Sequence, residues 1–466
     1  MQIPVLNGIY TDEAPDFRTS YPRNLIPVPK EQGISKGYLR PADGIVSFGT
    51  GPGIDRGGIE WNGVCYRVMG VYLVRINADG SYTSIGTVEG TDQVSFDYSF
   101  TYLSVASNQK LWLYDGTTLA QVTDADLGVV IDQVWVDGYF MTTDGANLVV
   151  TELNNPFDVN PLKYGSSEAD PDPVKALLKL RNEVYALNRN TIEVFDNVGG
   201  ANFPFARVEG AQIQRGVIGT HACCVFAENI AFLGSGRNEA PAIWLGSNGN
   251  AVKISTREID QIISSYTESQ LQSVVMQARL DKGHQHLWVT FPDQTLVYDY
   301  AASQVLGEQV WFSLTTSLFG KGQYRAKNLV RCYDKWLVGD PTSSSHGYLD
   351  DTIASHYGQR IGWEFGTMIV YNEGNGAIFH ELELVALSGR AELGTDPEIW
   401  TQYSTDGETW SMEKMIKAGK QGQRNKRLVW LQQGIMKHWR IQRFRGTSDC
   451  YLAIARLEAT LEPLAF

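Results

Sequence analysis

From about Trp61 onward the chain repeats one local pattern, and that repetition constrains its fold more than any other feature. A short aromatic or aliphatic strand is followed by a turn and a second strand, often closed by an acidic or glycine turn. The clearest copies are Gly63-Val-Cys-Tyr-Arg-Val-Met69 with Tyr72-Leu-Val-Arg-Ile76, and Tyr102-Leu-Ser-Val105 with Leu111-Trp-Leu-Tyr-Asp115. Further copies start at Val134, Val184, Ile230 and His286, and a weaker one joins Lys335-Trp-Leu-Val338 to Gly347-Tyr-Leu349. Spacing between first strands runs from the low thirties to the mid fifties. A period near ~40–50 residues with several strands per unit is the signature of a β-propeller. Five to seven blades are expected.

Composition agrees. Gly is 46 of 466 residues, with 12 Trp, 22 Tyr and 18 Phe. Many glycines with many aromatics suit an all-β chain rich in tight turns. The fold class expected is therefore all-β, in three parts. Residues 1–45 carry Pro4, Pro15, Pro22, Pro27, Pro29 and Pro41 and read as an extended N-terminal arm, since proline fixes φ and removes a donor. Residues 46–357 form the propeller-like domain, with an inserted helix near 256–277. Ser255-Thr-Arg-Glu258 fits a capping box there, and Ile259, Ile262, Ile263 and Tyr266 follow at helical spacing. Residues 358–466 carry five strand-like runs and read as an antiparallel β-sandwich.

No stretch approaches ~18 consecutive apolar residues, so no membrane span is expected. The start lacks the basic and apolar regions of a signal peptide. Cys65, Cys223, Cys224, Cys332 and Cys450 lack regular spacing, which argues against a disulfide framework and fits synthesis in a reducing cytoplasm. The vicinal Cys223-Cys224 reads as two small buried hydrophobes.

Catalytic constellations are thin. Gly49-Thr-Gly-Pro-Gly53 lacks the Gly-Lys-Ser/Thr that cradles phosphate and reads as a turn. Asp124-Ala-Asp-Leu-Gly128 lacks the downstream bidentate Glu of a Ca²⁺ loop. His284 and His286 could point to one strand face and bind a metal, but without further ligand candidates nearby a surface or turn role is the expectation. Ser404-Thr-Asp-Gly-Glu-Thr-Trp410 looks like a sialidase-type Asp-box turn one residue short, and such turns are structural. No catalytic residue, metal ligand or cofactor is expected.

Charge is the remaining signal. The net charge is −13, a poor match to a protein that grips nucleic acid over its whole surface. Between Lys414 and Arg445, however, stand Lys414, Lys417, Lys420, Arg424, Lys426, Arg427, Lys437, Arg440, Arg443 and Arg445, with no Asp or Glu. Ten adjacent cations repel one another, so they are candidate docking residues for an anionic partner surface. The competing reading is a solvated loop and a strand edge kept soluble by Lys and Arg.

An ordered set of short motifs spans nearly the whole chain. It comprises Pro29-Lys-Glu31, Ser35-Lys-Gly-Tyr-Leu-Arg-Pro41, Gly44-Ile45, Arg56-Gly-Gly-Ile59 and Tyr66-Arg-Val68. It continues with Thr191-Ile-Glu-Val-Phe195, Gln214-Arg-Gly-Val-Ile-Gly-Thr220, Ala231-Phe-Leu233, Ile259-Asp-Gln-Ile-Ile-Ser-Ser-Tyr-Thr267, Leu296-Val-Tyr-Asp299 and Tyr403-Ser-Thr-Asp-Gly407. In these motifs the chain resembles the packaged DNA stabilisation proteins of short-tailed phages, the tail hub or nozzle family of the Salmonella podophage type. The resemblance implies a structural virion protein, not an enzyme, made in the host cytoplasm and built into the phage tail. It implies a homohexameric ring below the portal and its adaptor ring. It further implies a tail needle or plug below, a tailspike or fibre at the side, and packaged DNA passing through the lumen without sequence-specific binding. The alternative expectation is a glycan-binding or glycan-cleaving propeller.

Overall fold

The structure is a computed structural model that describes residues 1–6, 8–10, 18–30, 35–391, 393–449 and 451–464. Pro15, Glu31 and Cys450 lie outside the described residues. The chain forms two compact units, one of Ser47–Pro292 with Arg325–Tyr348, the other of Met1–Val46, Asp293–Tyr324 and Leu349–Phe466.

The first unit is built of antiparallel meanders. Asp55–Trp61, Val64–Met69, Tyr72–Ile76 and Tyr82–Thr87 form the first sheet, each strand beside the next. Four more sheets of the same order begin at Ser95, Asp132, Val174 and Cys223. A sixth repeat opens with the hairpin of Val275–Asp281 and His284–Thr290. The seventh consists of Lys327–Cys332, Lys335–Gly339 and Ser345–Asp350, and its fourth strand is Gly44–Thr50, which precedes the first sheet in the chain. Among the described residues the expected five to seven blades are therefore seven.

Tight turns make this possible. Asn62-Gly63, Asp137-Gly138, Asn248-Gly249 and Lys282-Gly283 have both central residues at positive φ. That is the type I′ geometry whose twist matches paired strands. The core lies between neighbouring sheets, not in one central mass. Trp61, Tyr66, Val68 and Leu73 of the first sheet pack with Leu103, Val105 and Tyr114 of the second. Val134, Met141 and Val150 of the third pack with Leu177, Val184 and Phe195 of the fourth. Cys65, Met69, Val74 and Ile76 pack with Val330, Cys332 and Leu337, joining first to last. A sheet covered on both faces must be apolar on both, so strands such as Val64–Met69 read as near-continuous apolar runs.

The seam between first and last sheets is also polar. The Arg67 guanidinium donates to Asp55 Oδ1 at 2.9 Å and to the Asn328 carbonyl at 2.9 Å, and Asn328 Nδ2 donates to Asp55 Oδ2 at 2.6 Å. Arg67 and Asp55 are fully buried. Beside them, a Cβ on Gly49 would sit 2.1 Å from the Gly80 carbonyl oxygen, and one on Gly80 only 2.0 Å from that of Phe48. Gly80 also has φ +87°. Only glycines let the closing strand come this close.

The second unit is a sandwich. One sheet runs Leu428–Leu431, Ala377–Leu387, Ala453–Pro463, Gly37–Pro41 and Leu25–Pro29, with Gln2–Ile3 and Ile435–Met436 added at its side. The other runs Gly362–Gly366, Trp439–Thr447, Glu398–Ser404 and Lys414–Lys417, with Val370–Tyr371 paired to Trp439–Thr447. Phe365, Phe379, Leu382, Trp430, Phe444 and Leu457 fill the core between them. Residues expected as an arm without a core thus supply strands, and Ile3, Val5, Leu25 and Leu39 belong to that core.

The expected helix near 256–277 is two short helices, Arg257–Ser264 and Glu268–Gln272. Thr256, not Ser255, caps the first, because the Ser255 hydroxyl is held by the Ile243 N–H at 3.2 Å and by Asp260 at 2.6 Å. The capping box appears instead at Thr267 and Gln270 of the second. Among the described residues no helix is long and apolar enough to cross a membrane.

The network at the seam yields a test. Asp55→Ala strands a buried guanidinium and an amide, and is expected to cost about 3–5 kcal/mol in denaturant unfolding. Val252→Ala, on an exposed outer strand, is expected to stay within about 0.5 kcal/mol.

Candidate functional site

The sandwich sets the ten candidate docking cations in very different surroundings. Strand pairing brings acidic side chains from outside the run beside several of them. Glu398 is cross-strand from Lys417, and Lys417 Nζ donates to its Oε1 at 2.5 Å. Arg427 donates to Glu383 Oε1 at 2.8 Å and Glu381 Oε1 at 3.0 Å, and these carboxylates push its pKa up. Arg445 forms an ion pair with Glu413, with its Nε 2.5 Å from Oε1, and its guanidinium lies 4.8 Å from the Trp400 ring opposite. Arg443 lies 3.7 Å from Glu364, donates to Gln402 Oε1 at 2.5 Å and stacks over Trp410 at 4.4 Å. Lys414 donates to the Gln432 carbonyl. Four of the ten cations, Lys417, Arg427, Arg443 and Arg445, thus meet carboxylates from outside the run.

Arg440 is not a surface residue. It is fully buried, with its guanidinium 4.1 Å from the Phe379 ring and 3.8 Å from the Tyr403 ring. It donates to the Gln433 carbonyl at 2.6 Å and to Gln442 Oε1 at 2.8 and 3.1 Å. Burial pulls its pKa down to about 9. A charge this deep is retained because two aromatic faces and two oxygens replace water. It therefore leaves the set of docking candidates.

Four cations remain: Lys420, Arg424, Lys426 and Lys437. None forms an ion pair among the described residues. Three of them stand on the 418–427 loop, which is firmly held. The Ser388 hydroxyl lies 3.2–3.3 Å from the carbonyls of Gln423, Arg424 and Lys426, and Gly422 N–H donates to the Gly389 carbonyl at 3.0 Å. Gly389, at φ +78°, passes so close that a Cβ there would meet Gln423 at 2.7 Å. The backbone of the loop that carries Lys420, Arg424 and Lys426 is thus anchored.

Two acidic turns singled out in the sequence are held by backbone hydrogen bonds. Asp406 accepts from the N–H groups of Glu408 and Thr409 at 3.0 and 2.8 Å, which lowers its pKa and pins the Ser404–Trp410 turn. Asp124 accepts from Asp126 N–H at 2.9 Å and Val159 N–H at 2.8 Å. His284 and His286 lie on a strand with ring centroids 5.0 Å apart, not in a turn. Burial raises the Cys224 thiol to about 12 and that of Cys223 well above its ordinary value, which keeps both as unreactive thiols.

Among the described residues, the chain is a seven-repeat propeller joined in sequence to a β-sandwich. Residues 1–354 match the family model described as bacteriophage P22 Gp10, β-propeller, and residues 362–462 match its companion, the P22 Gp10 β-sandwich. The chain belongs to this phage tail hub family. The tail hub protein gp10 of Salmonella phage P22 is 28% identical over 468 residues, covering 96% of this chain and 95% of that protein. Among solved structures, the Neurospora crassa Pan2 WD40 domain is 9% identical with a TM-score of 0.44, over 66% of this chain and 96% of that one. The N-terminal domain of Nup159 is 8% identical with a TM-score of 0.41, over 71% and 99%.

The two classes of arginine separate experimentally. Arg440→Ala orphans buried oxygens and is expected to cost about 2 kcal/mol or more in chemical unfolding. Arg424→Ala, on the exposed loop, is expected to leave the unfolding midpoint unchanged.

Proposed function

We propose that six copies of this chain close a ring below the portal and its adaptor ring. The ring extends the DNA channel and helps retain the packaged genome. A needle or plug takes its lower opening, and tailspikes or fibres attach at its side. The observation that carries this reading is the match to the tail hub family in both parts of the chain, propeller and sandwich. A closed ring needs heterologous contacts between identical subunits. A body of hydrogen-bonded sheets with few long loops suits such contacts, because little internal ordering is lost on assembly. Each copy carries −13, so DNA meets few attractive phosphate contacts and can slide through. Retention then falls to a physical plug.

Within that assembly, Lys420, Arg424, Lys426 and Lys437 are the groups that dock an acidic partner surface, with the adaptor ring as the proposed partner. Phage lacking this protein is expected to package DNA and then lose it, read as the ratio of filled to empty heads. Heads that stay filled would remove the retention role. Lys420→Glu, Arg424→Glu and Lys426→Glu together are expected to fold normally and fail to assemble on the portal–adaptor complex. Normal tails from that triple variant would remove the docking role.

A further inference from the structure

The innermost strands of all seven repeats converge on a polar cavity of about 220 Å³, lined among others by Ser95, Asp132, Gln133, Thr220, Gln277 and Asn328. Nothing in the docking and channel roles uses it. Asp132 is 5% exposed. Its Oδ2 accepts from the Leu177 N–H of the next sheet at 2.8 Å. Burial first, and the Asp97 carboxylate nearby, raise its pKa to about 6, against hydrogen bonds from the Ser95 side chain and the Leu177 and Gln133 N–H groups. None of the described basic side chains forms an ion pair with it; Lys327 interacts with Asp55 and His221 instead. His221 adds no charge, because burial lowers its pKa to about 4.

Gln133 is the independent observation. It is 4% exposed, its amide nitrogen lies 3.4 Å from the Ser95 carbonyl, and its Oε1 has no partner among the described residues. Two neighbouring side chains of one inner strand thus bring a carboxylate without a counter-ion and an unused amide oxygen to the same cavity. Burying a carboxylate without a counter-charge is costly, and so is leaving a buried acceptor unmade. One occupant relieves both. The oxygens available are carboxylate, amide and the hydroxyl of Thr220, with no thiolate or charged imidazole required. Such a donor set selects a hard cation. A water's share of liquid volume is about 30 Å³, so the cavity has room for a cation with much of its hydration shell.

We propose that the axial cavity of the propeller binds a hard divalent cation, Ca²⁺ or Mg²⁺, through the Asp132 carboxylate, the Gln133 amide oxygen and water. The cation neutralises the axis and ties the third sheet to its neighbours.

The full chain, stripped with chelator, is titrated separately with CaCl₂ and MgCl₂, with KCl as ionic-strength control. The readouts are isothermal titration calorimetry and thermal unfolding. At least one divalent salt is expected to bind one-to-one and to raise the unfolding midpoint by about 3 °C or more at large excess. Asp132→Asn keeps an oxygen for the Leu177 N–H and is expected to abolish both signals. Gln133→Glu adds a second carboxylate and is expected to tighten binding about tenfold or more. Silence of both divalent salts on the unaltered chain would mean that the cavity holds only water and would overturn the proposal. Unchanged binding by Asp132→Asn would place the cation elsewhere and overturn it equally. Should Asp132→Asn not fold, Gln133→Glu decides, and an affinity equal to that of the unaltered chain sinks the idea.

Discussion

The propeller depends on one constraint: its last sheet is finished by a strand that precedes its first. Seven meanders could otherwise splay apart, since each contacts only its neighbours. Gly44–Thr50 prevents this by supplying the fourth strand of the seventh sheet. The fit is enforced twice. Glycines 49 and 80 allow backbone approaches that no side chain would tolerate, and Asp55, Arg67 and Asn328 satisfy one another where first and last sheets meet. A buried ion pair is weak evidence for net stability, but it is exacting about register. An apolar seam would allow the sheets to slip. A guanidinium that must find one carboxylate and one carbonyl does not.

The sandwich follows a related rule. Its basic segment is a feature of the sequence more than of the surface, because strand order places Glu364, Glu381, Glu383, Glu398 and Glu413 against it. What stays unpaired is a short loop anchored from beneath by Ser388. Rigid display matters for docking. A charged loop already ordered loses less entropy on contact than a floppy one.

Much of this was legible in the amino acids. The strand pairs beginning at Gly63, Tyr102, Val134 and Val184 announce themselves by apolar runs separated by short turns, because such signals are local. The strand partners of the N-terminal arm were not legible, for the opposite reason. Leu39 pairs with Ile454, and no short window can reveal a partner four hundred residues away. The proline content of that segment suggested an extended arm, and Pro27 and Pro29 lie on Leu25–Pro29, the last strand of the sheet's order, where a missing N–H is tolerated. In the candidate site, counting charge along the chain missed the acidic strands alongside. Arg440 did leave a trace. It has the same strand parity as Gln442 and Phe444, both buried, whereas Arg443 and Arg445 have the other. The axial cavity left none, since its lining comes from strands scattered between residues 57 and 328.

The pairing of Gly37–Pro41 with Ala453–Pro463 also has a consequence in time. The early strands leave the ribosome first, and their partner follows after the whole propeller has been made. At ~5–20 residues per second that interval is tens of seconds. Throughout it, the edge of Gly37–Pro41 that Ala453–Pro463 covers in the finished sheet lacks that partner. Nascent chains on the same message offer one another that edge in turn. The prolines at 27, 29 and 41 deny donors to such intruders. They therefore protect the newborn chain as much as they shape the finished one.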